Sequence, residues 1–570
     1  MKKLMIILSC LLTLSGCSKR SVEVKVDGHN GPISVKVSVD HSHIESIEYY
    51  NHQETLEVVQ QAAETMIDAI IANQSLAVDV ASGATVTCQA ILKGCENALI
   101  QLGFHRNQLY QNNDNEYDEI RPSEKQYDVI IVGAGGAGLS AAVMAAREGA
   151  SVAVLEKMSE PGGNTVRATA MYNCVDDKLQ HPLGIYDSEE DFYNETYNGG
   201  YQKAKPELVR ILTSQADEGK LFLEELGLQF DTVIDNCLGG KIARGHYSLA
   251  HNGTDYVQVL WQACNDLGVD FYLNTKANEL IMAQDSVIGV EAYRKGETIE
   301  FYANNGVVLA SGGFGQNVEM RMYYNRNLTG ELLCSNAPGA TGDGIIMASK
   351  IGASLINMEY IELYPMGDSY DGGLRNSIPN VINKGILVNQ QGQRFVREDG
   401  ARDVLSQAIL DQKGSYAYSI VDDDFEIFAD DRSYLQGLVL MGYVEKANSI
   451  DELAHLIDVD ADILINTIDQ YNQSVALQSD CLGRETLINA IDKPPFYANM
   501  KKPTIHHTLG GIEINEMAQV LNQDKQPING LFAAGEVTGG IHGANRLGGN
   551  SFPDMIVFGR IAGKNAALNQ

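Results

Sequence analysis

Gly133, Gly135 and Gly138 stand in the spacing G-x-G-x-x-G, with Gly136 inside it, directly after the apolar run Tyr127-Asp-Val-Ile-Ile-Val132. A pyrophosphate needs this spacing. The first glycine permits the tight turn, and the second lets the backbone approach the phosphates. The third lets helix and strand pack closely, so that the helix N-terminus faces the negative charge. Glu156 ends the next apolar run, Ser151 to Leu155. It follows the first glycine by about twenty residues, where a ribose hydroxyl needs an acceptor. The chemistry indicated is dinucleotide binding.

Such a turn has to be carried by a strand and a helix. Tyr127 to Val132 reads as a buried strand, and Leu139-Ser-Ala-Ala-Val-Met-Ala-Ala as the helix after it. From there to Gln570 strand and helix patterns alternate with glycine-rich turns, as in a doubly wound α/β domain. Upstream, Val22, Val24 and Val26, then Ile33, Val35, Val37 and Val39, alternate as strands do. Helix periodicity covers Leu56 to Asn73 and resumes near Cys88 to Leu102. Residues 106–126 are polar and read as a linker.

Composition narrows the function. The 570 residues are 44% hydrophobic, enough for large cores, so a wholly disordered chain is excluded. Lys and Arg total 42 against 74 Asp and Glu, a formal charge of −32, which repels nucleic acid. The nine cysteines contain no C-x-x-C, so neither a zinc ribbon nor a haem attachment is expected, and no metal ligands stand out. Lys2 and Lys3, the apolar run Leu4 to Leu14, and Leu14-Ser-Gly-Cys17 have the order of an export signal. Leu-Ser-Gly-Cys resembles a bacterial lipobox, which implies cleavage after residue 16 and lipid on Cys17. The expectation is a protein anchored to the cell membrane by lipid, on its extracytoplasmic side.

Further motifs follow in order: Glu156-Lys157-Met-Ser-Glu-Pro-Gly162-Gly163-Asn164-Thr165, then Gly530-Leu-Phe-Ala-Ala-Gly535-Glu536, then His542-Gly-Ala-Asn-Arg546-Leu-Gly548-Gly549-Asn550-Ser551. With these, residues 127–570 resemble the flavoprotein subunit family of fumarate reductases and succinate dehydrogenases, in its soluble branch. The resemblance implies FAD. It also implies an FAD-binding domain split into 127–358 and 504–570, around an inserted α+β capping domain at 359–503. Gly535 and Glu536 would meet the adenosine or ribityl side, and Gly549, Asn550 and Ser551 the isoalloxazine. Asn164-Thr165 stands where membrane-complex relatives carry a flavin-bearing His, so non-covalent FAD is implied.

Reduction of an activated C=C bond builds negative charge on the substrate carboxylate and α-carbon. Cationic groups must hold the carboxylate, and a proton donor must reach the α-carbon. Gly392-Gln-Arg394-Phe-Val-Arg397-Glu398-Asp-Gly-Ala-Arg402-Asp403 looks like the family's R-F-x-x-E-x-x-x-R-D stretch, in which Arg402 matches the catalytic proton donor. In Thr504-Ile-His506-His507, His506 matches the carboxylate-binding histidine, whereas His507 reads as an ordinary imidazole. Arg546 has the fork geometry for bidentate carboxylate capture. Two departures matter. Tyr364 precedes Pro365 where fumarate reductases carry His, as in urocanate-reductase-like relatives. Ile378 and Val381 occupy the positions of the family's proton-relaying Glu and Arg, so the relay must be rerouted through Glu398, Asp403, Tyr364 or water. These departures point away from fumarate and toward a bulkier or aromatic enoate. Ser377 can hydrogen-bond the substrate or cap a turn.

Asp79-Val-Ala-Ser82-Gly83-Ala84-Thr85-Val-Thr87 is a good helix start and a favourable place for a phosphodiester. It resembles the flavinylation motif of FMN-binding domains, which implies a small α+β FMN-binding domain over 22–105 with FMN esterified to Thr85, or failing that Thr87. Electrons would then come from membrane electron-transfer flavoproteins. The expected activity is an extracytoplasmic enoate reductase in anaerobic respiration. A non-catalytic flavin electron carrier and a ketosteroid-type flavin desaturase are the alternatives.

Overall fold

The structure is a computed structural model that describes residues 19–27, 32–41, 43–50, 56–78, 85–104, 109, 123–374, 384–424 and 432–569. The chain divides into two compact units, Met1–Arg121 and Pro122–Gln570.

In the first unit β1 (Lys19–Asp27), β2 (Pro32–Asp40) and β3 (His43–Tyr50) form an antiparallel meander. Helices α1 (Leu56–Asn73) and α2 (Thr85–Gln101) follow. The period-2 valines do what their spacing requires: Ile33, Val35, Val37 and Val39 are fully buried, in one core with Ile91, Cys95 and Leu99 of α2. Burial of each such side chain contributes about 1.5–3 kcal/mol. A Cβ on Gly94 would lie 2.7 Å from Val35, so a glycine is what lets α2 approach β2.

The second unit is α/β. Its main sheet is parallel at the centre, where β4 (Ser123–Val132) pairs with β5 (Val152–Leu155) on one side and with the strand Glu297–Leu309 on the other. The strand takes in the last four residues of the expected linker, because Ser123–Gln126 pair with Ile299–Tyr302. Helix α3 (Gly136–Arg147) and the C-terminal helix Ser551–Leu568 pack on this sheet; a Cβ on Gly563 would sit 2.0 Å from the Ala141 carbonyl oxygen.

A second sheet is antiparallel and carries the site. The strand Ile361–Asp368 pairs with the long strand Phe496–Thr508, which also takes Ala417–Val421 and Glu445–Ala447, while Gly385–Val388 closes the other edge. Phe496–Thr508 runs unbroken across residue 503, the boundary expected between the capping segment and the second FAD-binding segment, and all its strand partners lie in this antiparallel sheet. A third, small sheet of Tyr172–Asn173, Gly245–Ser248 and Phe230–Asp235 has no counterpart in the sequence reading, since its strands are only 2, 4 and 6 residues long.

Ser377, Ile378 and Val381 lie outside the described residues, as do residues 1–18 with Cys17, and Asp79 and Ser82 to Ala84. Thr85 opens α2, but its side chain lies outside the description. Among the described residues no helix is long and apolar enough to cross a membrane.

Candidate active site

Residues 133–138 carry nothing larger than a methyl group, so the backbone between β4 and α3 is open to a ligand. Gly133 has φ +107°, and a Cβ there would meet the Ala310 carbonyl oxygen at 2.4 Å. Gly138 is the packing glycine: its Cβ would lie 1.9 Å from the oxygen of Gly133. Glu156 ties the turn to the next loop, accepting from Ala134 N at 2.9 Å and Met158 N at 2.8 Å.

One cleft runs from this turn to the second sheet. Gly133, Gly135, Gly136, Glu156, Lys157, Gly163, Asn164, Thr165, Gly535, Glu536 and Ser551 line it, and His506, His507 and Arg546 close its far end. Thr165 Oγ1 accepts from Gly136 N at 3.0 Å, and Lys157 is held by Thr341 and Asp343. Asn164 Nδ2 donates to Glu536 Oε2 at 2.7 Å, joining residues 372 positions apart. Burial pushes the Glu536 carboxyl up, although Thr508 N donates to it. Gly549 and Asn550 are not on the cleft wall: Asn550 turns to Asn173 and Thr196, and a Cβ on Gly549 would strike Asn173 at 2.5 Å. The cleft fits an extended dinucleotide, with bare backbone N–H groups at a helix N-terminus for the pyrophosphate and an acid for the ribose.

At the far end the cationic residues meet. Arg402 opens the helix Arg402–Leu410 and is 8% exposed; Arg546 is 3% exposed. Both bind one carboxylate that the sequence reading missed, Glu362. Arg402 Nη1 and Arg546 Nη2 donate to Glu362 Oε1, the second at 3.1 Å. Burial alone would raise the Glu362 carboxyl, but Arg546 and then Arg402 hold it at about 2. Burial alone would lower Arg402, and Glu362 keeps it above the ordinary arginine value. Arg546 is lowered, chiefly by burial. Gly548 makes the space for this pair: a Cβ there would lie 2.7 Å from Arg402 Nη2. One sequence signal pointed to Glu362, its place two residues before Tyr364 in the segment Ile361-Glu-Leu-Tyr-Pro, where strand alternation sets both on one face.

Tyr364 bridges the set. Its ring centroid is 5.0 Å from Arg402 Cζ and 5.1 Å from the His506 ring. Ser335 Oγ lies 2.8 Å from His506 Nδ1 and also donates to the Ile505 carbonyl at 3.1 Å, which anchors the imidazole through its Nδ1 side. Burial pushes His506 down to about 3, so the ring is neutral at physiological pH. His507 is lowered as well, by burial first and then by Arg546.

Of the relay residues suggested by sequence, Tyr364 lies against Arg402, whereas Glu398 and Asp403 are engaged with other partners. Glu398 is fully buried between Arg394, Arg484 and the Leu387 N–H, and Asp403 accepts from the Tyr201 hydroxyl at 2.7 Å. Glu362 also lines a second cavity with Asp403, Ser406, Gln407 and Asn545.

A phosphate-binding turn leading to a buried cationic pocket defines a dinucleotide-binding protein with a site for a small anion. Residues 128–552 match the FAD binding domain and residues 28–100 the FMN-binding domain. The chain belongs to the fumarate reductase-like FAD-binding flavoproteins that carry an N-terminal FMN-binding domain. It is 34% identical to the urocanate reductase of Eggerthella lenta, over 95% of this chain and 91% of that one. It is 33% identical to the NADH:acrylate oxidoreductase of Vibrio harveyi, covering 95% of this chain, and 35% identical to the NADH:fumarate oxidoreductase of Klebsiella pneumoniae (strain 342), covering 96%. The chain spans only 60% and 58% of those two proteins. Among solved structures, the open conformation of a flavocytochrome c3 fumarate reductase aligns with a TM-score of 0.66 at 34% identity, over 81% of this chain and 83% of that one.

Proposed function

We propose that the protein reduces the C=C bond of an α,β-unsaturated carboxylate. The observation that carries this reading is that Arg546 and His506 line the dinucleotide cleft and that Glu362 and Tyr364 join Arg402 to them. Relatives named for acrylate, fumarate and urocanate support it. A flavin electron carrier has no need of a buried carboxylate trap.

Gly133 to Thr165 and Glu536 would hold FAD non-covalently, and the flavin would supply the hydride chemistry of the reduction. Arg546 and neutral His506 hold the substrate carboxylate, which fixes the alkene and draws charge toward the carboxyl end. Arg402 donates an Nη proton to the α-carbon, and with the hydride that the flavin would supply the alkene gains one hydride and one proton. Glu362, hydrogen-bonded to Arg402 and lining the second cavity, passes a solvent proton back to Arg402. Tyr364 covers the guanidinium and excludes water.

The FMN-binding domain supports electron entry through FMN esterified to Thr85, from a membrane flavoprotein donor. The export signal and Cys17 support lipid anchoring on the extracytoplasmic side and a role in anaerobic respiration. The test is a screen of enoates with the flavin-loaded enzyme reduced by viologen. Reoxidation by at least one enoate is expected. Reoxidation by none, with both flavins present, returns the carrier.

A further inference from the structure

We propose that Glu362 is a built-in counter-carboxylate that makes this site selective for substrates carrying a single carboxylate. The inference rests on the reductase reading above and names the substrate class.

Two buried guanidiniums, Arg546 on the cleft wall and Arg402 beside it, are already bound to one carboxylate. The neighbouring rings add no charge, because His506 and His507 are held neutral by burial and Tyr364 keeps its proton. The pocket therefore has at most one uncompensated positive charge. Glu536, on the flavin side and bonded to Thr508 and Asn164, could only reduce that excess. One incoming carboxylate neutralises the pocket. A second would be a buried anion without a partner, which is strongly unfavourable.

Three orphaned atoms show where a ligand's polar groups belong. Arg402 Nε, Arg546 Nε and Glu362 Oε2 are buried without a hydrogen-bond partner. Arg546 Nε comes within 3.0 Å of Oε2 but is not aligned as a hydrogen bond. The two N–H groups are donors awaiting an acceptor, as a substrate carboxylate would be. Oε2 is a carboxylate oxygen that accepts and repels, so it disfavours a second acid on its side of the pocket.

Glu362 is not placed to swing aside. It sits on the strand Ile361–Asp368 in register with His507, is 5% exposed, and would have to abandon two cations at once.

The test compares matched acids. The viologen-reduced holoenzyme is offered crotonate against fumarate, and cinnamate against 4-carboxycinnamate. The oxidised holoenzyme is titrated calorimetrically with butyrate and succinate. The monocarboxylate should exceed its dicarboxylate partner by at least about tenfold in kcat/KM for the better-accepted pair, and by a similar factor in affinity. Glu362→Gln, checked for retained flavin absorbance, should move the calorimetric ratio toward succinate by about tenfold or more. Equal or better binding of succinate by the wild type, binding of neither acid, or an unmoved ratio in folded Glu362→Gln would each overturn the proposal. If Glu362→Gln does not fold, the wild-type ratios decide. If no enoate is reduced, the reductase reading falls, and the calorimetric ratio still decides the charge count.

Discussion

Arg402 and Glu362 close a buried ion pair between a helix N-terminus and a strand forty positions earlier in the chain. The pairing offsets two costs. A cation at a helix N-terminus opposes the helix dipole, and a buried cation loses its hydration. Glu362 therefore keeps Arg402 protonated where neither burial nor the helix favours it.

Arg402→Ala should remove the proton donor while leaving the cleft intact. Enoate reduction should fall by about 10²–10⁴-fold, with flavin content unchanged. A steady-state assay with reduced viologen checks the first point and the flavin absorbance spectrum the second. Full activity in this variant would place the donor elsewhere.

The dinucleotide turn has a steric requirement that is independent of catalysis. Gly138→Val would drive a side chain into the Gly133 carbonyl, where even a Cβ comes to 1.9 Å. The purified variant should lack FAD, seen as a flavin-to-protein ratio reduced to the share contributed by FMN.

His506 makes a signed pH prediction. Its native pKa is lowered from 6.5 to about 3, so between these values the unfolded chain binds the proton that the native chain refuses. Its contribution to stability is full above about pH 6.5 and is lost as pH falls toward 3. The thermal midpoint should decline over that window, and less steeply in His506→Asn. For the same reason kcat/KM should show no step near pH 6.5; a step there would mean that His506 binds substrate as a cation.

Glu398 holds Arg394 and Arg484 in a fully buried network that also includes Asp480. Glu398→Gln would leave buried cations undercompensated and should destabilise the fold by about 3–5 kcal/mol. Urea unfolding measures this directly. An unchanged midpoint would mean the network contributes nothing net.

Thr85→Ala should abolish covalent FMN, whereas Thr87→Ala should retain it. Intact-protein mass spectrometry of material from a flavinylating host distinguishes the two. Flavin retained on Thr85→Ala would move the attachment to Thr87.

The sequence by itself determined what depends on local order. The phosphate turn was legible because G-x-G-x-x-G, the flanking strand and Glu156 act within about thirty residues, so spacing alone fixes their geometry. The valines of β1 and β2 were legible because their period places them on one face. The start of β4 at Ser123 was not, because its first four residues pair with Ile299–Tyr302, and polar sequence does not announce a distant partner. The site divides in the same way. Arg402, His506, Arg546 and Tyr364 could be picked out singly by type and motif, but tertiary structure decided their common charge. Glu362, Ser335 and Gly548 belong to three separate segments and matter only through what they touch: two guanidiniums, an imidazole and the space beside Arg402. Charge balance in a buried pocket is a sum over residues far apart in sequence, and only folding brings its terms within a few ångströms of one another.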